Sequence, residues 1–150
     1  MKVALASDHA GYALKEQIKE WLADWGIETY DAGCHSLESV DYVDYASGAV
    51  GALEEQECDR AILVCGTGIG MSIAANKYPG IRAALCHDLF SARATREHND
   101  SNVLCLGARV IGSGLAEEIV RVWLHTEFAG GRHQRRVDKI SAIEQRVLGQ

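Results

Sequence analysis

Residues 61–77 have the sequence Ala61-Ile62-Leu63-Val64-Cys65-Gly66-Thr67-Gly68-Ile69-Gly70-Met71-Ser72-Ile73-Ala74-Ala75-Asn76-Lys77. The first part is an apolar run without alternation, which is typical of a β-strand buried on both faces. The run ends at Cys65, and three glycines then occupy alternate positions before small and apolar residues that predict a helix. The pattern therefore places a thiol at the carboxyl end of a buried strand, on a glycine loop that opens a helix.

Such a loop can bind an anion, because backbone N–H groups can crowd around it and the helix start adds partial positive charge. The same field favours thiolate over thiol at Cys65. Met71 stands where a Walker A loop, a tyrosine-phosphatase loop or a dinucleotide fingerprint would need a different residue. A tight turn beside a buried cysteine is the alternative interpretation of the loop.

Composition and charge limit the class of protein. With 150 residues and 47% hydrophobic content, we expect a single domain over residues 1–150 with a real core. The formal net charge of −6 argues against nucleic acid as the main partner. The amino terminus enters a strand pattern directly, and no apolar run approaches membrane-spanning length. We therefore expect neither a signal peptide nor membrane association.

The five cysteines are scattered and include no Cys-x-x-Cys pair, so the sequence suggests neither a zinc site nor a disulfide framework. This cysteine usage favours a reducing cytoplasm. We expect Cys58, Cys86 and Cys105 to be small core residues, because free cysteine is commonly buried.

Hydrophobic patterns elsewhere predict that strands and helices alternate along the chain. The predicted strands are 2–7, 27–31, 60–65, 81–86 and 102–106. The predicted helices are 14–25, 42–56, the segment after the glycine loop, 88–97, 112–128 and 134–148. This alternation indicates an α/β fold, a three-layer Rossmann-like open parallel sheet of five strands with helices on both faces.

Ligands of such sheets bind beyond the carboxyl ends of the strands. Those ends carry polar or loop residues, which are Asp8 and His9, Asp31, Cys65 to Gly70, His87 and Asp88, and Gly107 to Arg109. A thiol, a histidine and an aspartate beside a glycine loop form a candidate site, although Asp8 could instead cap the following helix.

His98, Asn99 and Asp100 separate a predicted helix from the fifth strand. They are either turn residues that stop the helix or a titratable imidazole and an amide donor at the edge of the site.

Residues 130–136 are the only dense basic cluster in this acidic chain. Arg132 and Arg136 are four apart and would share a helix face, where two guanidinium groups can hold a phosphate. Arg109 could add a third. The alternative is a solvated helix start, but basic residues are unfavourable there. Together the polar features predict a small anionic substrate, a phosphate ester, and no metal site.

Longer motifs make the chain similar to a known family. They are Ser7-Asp8-His9-Ala10-Gly11, Asp41-Tyr42, residues 65–77, Gly80-Ile81-Arg82-Ala83, Arg96-Glu97-His98-Asn99-Asp100, Asn102-Val103-Leu104, Gly107-Ala108-Arg109 and Gly130-Gly131-Arg132-His133-Gln134-Arg135-Arg136-Val137. With these motifs, essentially the whole chain resembles the B-type ribose-5-phosphate isomerases, the family shared with the lactose-pathway galactose-6-phosphate isomerase subunits.

The resemblance implies reversible conversion of ribose 5-phosphate to ribulose 5-phosphate through a cis-enediolate, with no cofactor and no metal. Cys65 matches the general base of the family, and Met71 stands where one subgroup has a glutamate base instead. Thr67 matches an assisting hydroxyl. His98 matches the acid that opens the furanose ring, which Asp8 could assist.

The resemblance also implies how the substrate is bound. The loop backbone matches the anion hole for the enediolate, Asn99 matches a sugar contact, and four basic residues match the phosphate end. The anion-hole residues are Gly66, Thr67, Gly68, Ile69 and Gly70, and the phosphate residues are His9, Arg109, Arg132 and Arg136. The family forms homodimers, sometimes pairs of dimers, in which each site is built from two chains.

Three alternatives stay open. The substrate could be a six-carbon aldose 6-phosphate, such as allose or galactose 6-phosphate. The chain could be a non-catalytic nucleotide-binding module with Asp88 on the ribose, but this leaves Cys65, His98 and the arginines without roles. It could also be one subunit of a hetero-oligomeric isomerase, although the combined set of residues favours a self-sufficient homomer.

Overall fold

The computed structural model describes residues 1–149. Five strands form one sheet, and six helices surround it. The strands are β1 (Lys2–Ser7), β2 (Glu28–Asp31), β3 (Arg60–Cys65), β4 (Ala83–Leu85) and β5 (Val103–Gly107). The helices are α1 (Tyr12–Asp24), α2 (Tyr42–Glu54), α3 (Ile69–Ala75), α4 (Leu89–Asn99), α5 (Ser113–His125) and α6 (Arg132–Leu148).

The sheet has the order β2-β1-β3-β5-β4, and each neighbouring pair is parallel. The chain therefore has the predicted α/β fold. The strand order reverses between β1 and β3, which opens a crevice beyond their carboxyl ends. Asp8 follows β1 directly and Cys65 ends β3, so both lie at this crevice.

Each face of the sheet carries its own hydrophobic core. Side chains of α1 and α5, among them Ile18 and Trp123, pack on one face. Side chains of α2 and α3, among them Val50 and Met71, pack on the other. Every residue of β3 from Ala61 to Cys65 is buried, as the non-alternating apolar run predicts.

The expected core cysteines are confirmed, since Cys58, Cys86 and Cys105 are all buried. Within residues 1–149, no helix combines the length and the apolar character needed to span a membrane.

The predicted end of α4 was wrong. The helix continues past Glu97 to Asn99, and Asp100 ends it with a left-handed backbone at φ 46°. The Asp100 carboxylate pairs with Arg96 one turn earlier at 2.9 Å, which holds the last turn together. His98 and Asn99 therefore belong to a helix rather than to the connection before β5.

Three other predicted elements also have different ends in the structure. β4 is shorter than 81–86, since the Arg82 N–H before it donates to the side chain of Asn102 and not to a backbone carbonyl of a neighbouring strand. α5 ends at His125 instead of residue 128, since Thr126 is extended. α6 begins at Arg132, directly after two glycines with positive φ. The remaining ends differ from the predicted ones by no more than two residues.

Candidate active site

A cleft of about 550 Å³ lies beyond the carboxyl ends of β1, β3 and β5. It gathers eight of the residues predicted from the sequence, which are Asp8, His9, Cys65, Gly66, Thr67, Ile69, Gly70 and Arg109. They come from the ends of three parallel strands and from the start of α3. The strand-end argument thus agrees with the cleft for these residues, whereas Asp31, His87 and Asp88, which it also named, do not line it.

The glycine loop folds back on the thiol of Cys65. The side chain is buried, with 5% exposure, and its Sγ accepts a hydrogen bond from the Gly68 N–H at 3.1 Å. Gly68 has a φ of +74°, and a Cβ there would lie 2.8 Å from the carbonyl carbon of Leu106. Only glycine fits this position without displacing the amide that faces the sulfur.

Two buried thiols elsewhere in the core are held protonated. Burial raises the pKa of Cys86 to about 11, helped by the charge of Asp88. Burial also raises the pKa of Cys105 well above its ordinary value. Among residues 1–149, Cys65 is the cysteine that lines the cleft. It is therefore the thiol placed to react with a ligand.

Thr67 lies at the exposed tip of the loop. Its Oγ1 accepts a hydrogen bond from the Ile69 N–H at 3.3 Å. Because that contact uses a lone pair, the hydroxyl proton remains available for donation into the cleft.

Asp8 and His9 are fixed by backbone amides at the opposite wall. The Asp8 carboxylate accepts a hydrogen bond from the Gly11 N–H at 3.0 Å. Nδ1 of His9 accepts one from the Val40 N–H at 3.2 Å. A ring that accepts at Nδ1 carries its proton on Nε2 when neutral, so His9 can donate to an anion through Nε2.

Arg109 brings a positive charge to the cleft. Its guanidinium lies over the loop, close enough that a Cβ on Gly66 would be 3.3 Å from Nη1. The loop amides and this guanidinium make the cleft suitable for an anionic ligand.

Tyr42 is a cleft residue that sequence reasoning missed as a site residue. It begins α2, lines the cleft and packs its ring against Gly70, where a Cβ would lie 2.7 Å from Cε2 and Cζ. The Asp41-Tyr42 motif was the available signal, but the helical spacing assigned Tyr42 to the apolar side of its helix.

Gly68 faces Cys65 from the loop, and the four remaining predicted residues lie elsewhere. His98, Asn99, Arg132 and Arg136 do not line the cleft. Because α4 connects parallel strands, it runs antiparallel to them and its last turn lies at the amino edge of the sheet. There Nε of Arg82, which precedes β4, donates to the Asn99 carbonyl at 3.1 Å. Within one chain, His98 and Asn99 therefore lie away from the cleft, at the other end of the strands.

We call His98, Asn99, Arg132 and Arg136 the amino-edge group. Both arginines are exposed on the first two turns of α6, where they are four residues apart. The ring of His98 stacks on that of His133, with 4.3 Å between ring centroids and 11° between planes. The start of α6 and the end of α4 thus form one basic surface.

Asp88 was the residue that a nucleotide-binding alternative required. Its carboxylate accepts hydrogen bonds from the Ser91 N–H at 2.7 Å and the Ser91 hydroxyl at 2.9 Å, which lower the pKa of Asp88. Both oxygens are therefore occupied in capping α4. Among residues 1–149, no group of three or more histidine, cysteine, aspartate or glutamate side chains is arranged to hold a metal ion.

Comparison with known proteins identifies the family. The profile of the ribose/galactose isomerase family matches residues 3–140. Ribose-5-phosphate isomerase B of Escherichia coli is 50% identical, over 97% of this chain and 97% of its own. The D-erythrulose-4-phosphate isomerase of Pectobacterium atrosepticum is 43% identical, over 96% and 95% of the two chains.

A solved structure agrees with these sequence matches. Ribose-5-phosphate isomerase B of Clostridium thermocellum superimposes with a TM-score of 0.97 at 53% identity, covering 98% of this chain and 99% of that one. With a whole-chain fold match and identities of this size, the chain belongs to the ribose/galactose isomerase family.

Proposed function

We propose that this chain interconverts D-ribose 5-phosphate and D-ribulose 5-phosphate, with Cys65 as the base. An isomerase acting on a sugar phosphate follows from the family and from its relatives. The observation that best supports the assignment of the base is the hydrogen bond from the Gly68 amide to Sγ of Cys65, inside the cleft.

The chemistry requires a base that can release its proton again. The Cys65 thiolate takes the C2 proton of the open aldose, and the electron pair left behind forms the enediolate. The thiol then returns the proton to C1, while the hydroxyl proton moves from O2 to O1. An N–H directed at the sulfur stabilises the thiolate, because it interacts more strongly with the charged form.

The enediolate needs its own stabilisation. The first amides of α3 have no carbonyl partners inside the helix, and Ile69 and Gly70, which carry two of them, line the cleft. Preorganised donors of this kind usually supply the largest share of stabilisation for a developing oxyanion. We assign this role to the backbone of Gly66 to Gly70, with Thr67 as an assisting hydroxyl.

The four residues that we assign to the phosphate lie at two separate places in the chain. His9 and Arg109 lie in the cleft, whereas Arg132 and Arg136 belong to the amino-edge group. β3 has six residues, and a rise of about 3.3 Å per residue places its two ends about 17 Å apart. A five-carbon sugar phosphate cannot span that distance.

We therefore propose that each site is completed by a second copy of the chain, in a homodimer or a pair of dimers. The amino-edge group of one protomer would reach the cleft of its partner, with His98 opening the ring and Asn99 contacting the sugar. Ile69 and Ile73 are 50% and 58% exposed at the cleft, and they offer an apolar surface for such a partner.

The sugar on which such an isomerase acts differs between members of the family. A relative at 43% identity carries the name of a four-carbon sugar phosphate isomerase, so substrates differ within the family. A six-carbon aldose 6-phosphate is the second candidate, because one side of the cleft would be formed by the partner and sets the depth of the pocket. We place the protein in the cytoplasm, since all five cysteines are free.

An isomerase assay with ribose 5-phosphate, allose 6-phosphate, galactose 6-phosphate and erythrulose 4-phosphate side by side tests the proposal. The highest kcat/KM is expected with ribose 5-phosphate, and Cys65→Ala should abolish turnover of whichever sugar is used. A higher kcat/KM with another sugar would reassign the substrate. No turnover of any of the four would contradict the function itself.

A further inference from the structure

We propose that His133 is a positioning residue for His98. Its imidazole forms a flat support that holds the His98 ring in the orientation needed for opening the sugar ring. This inference rests on the proposed function, in which His98 is the ring-opening acid.

The two rings are arranged as a stacked pair. Their centroids are 4.3 Å apart and their planes differ by 11°. Aromatic pairs in this arrangement attract beyond the burial of their surfaces. His98 is exposed in the last turn of α4, and an exposed side chain changes rotamer rapidly. Stacking against a fixed ring limits that motion and fixes the direction of the ring nitrogens.

His133 is itself well fixed. It has 9% exposure and lies in the first turn of α6. Its backbone N–H donates to the Gly130 carbonyl at 3.0 Å. The Ala129 N–H donates to the Glu97 carbonyl at 3.1 Å, on the turn that carries His98. Backbone hydrogen bonds thus set the distance between the supporting ring and the supported one.

Burial and the surrounding charges favour the neutral form of the His133 ring. Burial lowers the pKa of His133, and the charges of His98, Arg132 and Arg136 lower it further, against an opposite effect of Glu97. These are the charged groups that face it from α4 and α6. A neutral aromatic face can lie against His98 in either protonation state, whereas a second cation would repel a protonated His98. The useful feature of His133 is therefore its flat ring.

Two variants of His133 distinguish the effect of a flat ring from the effect of an apolar side chain of similar size. His133→Phe keeps a flat aromatic ring, and His133→Leu keeps an apolar side chain without one. Two substrates separate ring opening from proton transfer. Ribose 5-phosphate must open from a furanose, whereas erythrose 4-phosphate cannot close one because its O4 carries the phosphate.

His133→Leu should lower kcat for ribose 5-phosphate by about tenfold or more, since small misplacement of a reacting group has large effects on rate. KM should stay within about twofold, because binding groups are untouched. His133→Phe should keep kcat within about threefold of the parent. Both variants should match the parent on erythrose 4-phosphate.

Nuclear magnetic resonance of the imidazole groups gives a readout that does not depend on activity. The ring protons of His98 should be shifted upfield by the stacked ring in the parent and in His133→Phe, and should lose that shift in His133→Leu. Circular dichroism and the thermal midpoint serve as fold controls.

Three results would overturn the role of His133 alone. They are a fully active His133→Leu that has lost the upfield shift, a His133→Phe as impaired as His133→Leu, and equal losses on both sugars. A parent protein that shows the upfield shift but does not isomerise ribose 5-phosphate would instead overturn the proposed function, and with it the role of His133.

Discussion

The thiol of Cys65 and the imidazole of His98 lie at opposite edges of the same parallel sheet. Cys65 is the last residue of β3, at the carboxyl edge. His98 lies in the last turn of α4, which ends shortly before β5 begins at the amino edge. No single sugar phosphate can contact both within one chain, so the proposed chemistry requires two chains per site.

Replacing the proposed base should remove catalysis and preserve the fold. Cys65→Ala should lower kcat by about 10²–10⁴, the usual effect of losing a general base. Cys86→Ala is the matched control, because Cys86 is buried on the other face of the sheet and should leave kcat unchanged. Steady-state kinetics measures kcat, and circular dichroism checks that the fold is preserved. A Cys65→Ala enzyme that keeps more than about a tenth of kcat would exclude Cys65 as the base.

The arginines of the amino-edge group should act on phosphate binding. Arg132→Ala and Arg136→Ala should each raise KM about ten- to a hundredfold, since a charge-assisted hydrogen bond contributes about 1.5–3 kcal/mol. Arg121→Ala is the control, because this half-exposed arginine pairs with Glu117 on its own helix. Inhibition by inorganic phosphate measures the same contact without the sugar. If phosphate inhibits the variants as strongly as the parent, these arginines do not bind the phosphate.

The loop glycine should matter for rate as well as for stability. Gly68 and Gly26 both have positive φ, +74° and +70°, but only a Cβ at Gly68 would meet other atoms within 4 Å. Gly26→Ala should lower the free energy of unfolding by about 1–2 kcal/mol, and Gly68→Ala should lower it by more, because its Cβ would also clash with the Leu106 backbone. Gly68→Ala should also lower kcat by about 10², because the amide moves away from the thiol. Parent-like kcat in Gly68→Ala would contradict the role assigned to the loop.

Asp31 should stabilise the fold through its ionised form. Burial opposes ionisation, but hydrogen bonds from Lys15, Lys19 and the Gly33 amide outweigh it, so the pKa of Asp31 is lowered from its ordinary 3.8. Asp31→Asn should lower the free energy of unfolding at pH 7 by about 1.5–3 kcal/mol, because Lys15 is fully buried and would keep only Glu16 as a partner.

The stabilisation by Asp31 should depend on pH. Because the folded-state pKa is below the ordinary value, the stabilisation is fully present above pH 3.8 and is lost as the pH falls through the folded-state value. The stabilities of the parent and of Asp31→Asn should therefore converge in acid, as measured by urea unfolding. Asp24→Asn, at an exposed position of α1, is the control and should change stability by less than about 0.5 kcal/mol. A gap that stays constant into strong acid would show that the carboxylate charge is not the cause.

The sequence predicted the sheet and the cleft because both depend on local patterns. The apolar run from Ala61 to Val64 specifies a strand buried on both faces, and it is buried throughout. Parallel strands place their carboxyl ends together, so Asp8, Cys65 and Arg109 could be assigned to one cleft before any contact was known.

The remaining features depend on contacts between distant segments. His98 was misplaced because Asn99 and Asp100 favour turns, while the pairing of Arg96 with Asp100 extends α4 to Asn99. Tyr42 was missed as a site residue because its contact with Gly70 arises from the packing of α2 against α3.

The shared site can be tested by combining two inactive proteins. Cys65→Ala and His98→Ala homodimers would each lack an intact site. In a mixed isologous dimer, one site receives both substitutions and the other receives neither. With random exchange, half of the dimers are mixed, so about a quarter of all sites should be intact.

The most direct measurement is the activity on ribose 5-phosphate of an equimolar mixture of these two variants, unfolded and refolded together. Mass spectrometry of differently tagged chains confirms that the protomers have exchanged. If each site combines Cys65 of one chain with His98 of its partner, the mixture should recover roughly a quarter of the parental activity. Exchange without any recovery would place both residues in a site built from one chain and would contradict the shared active site.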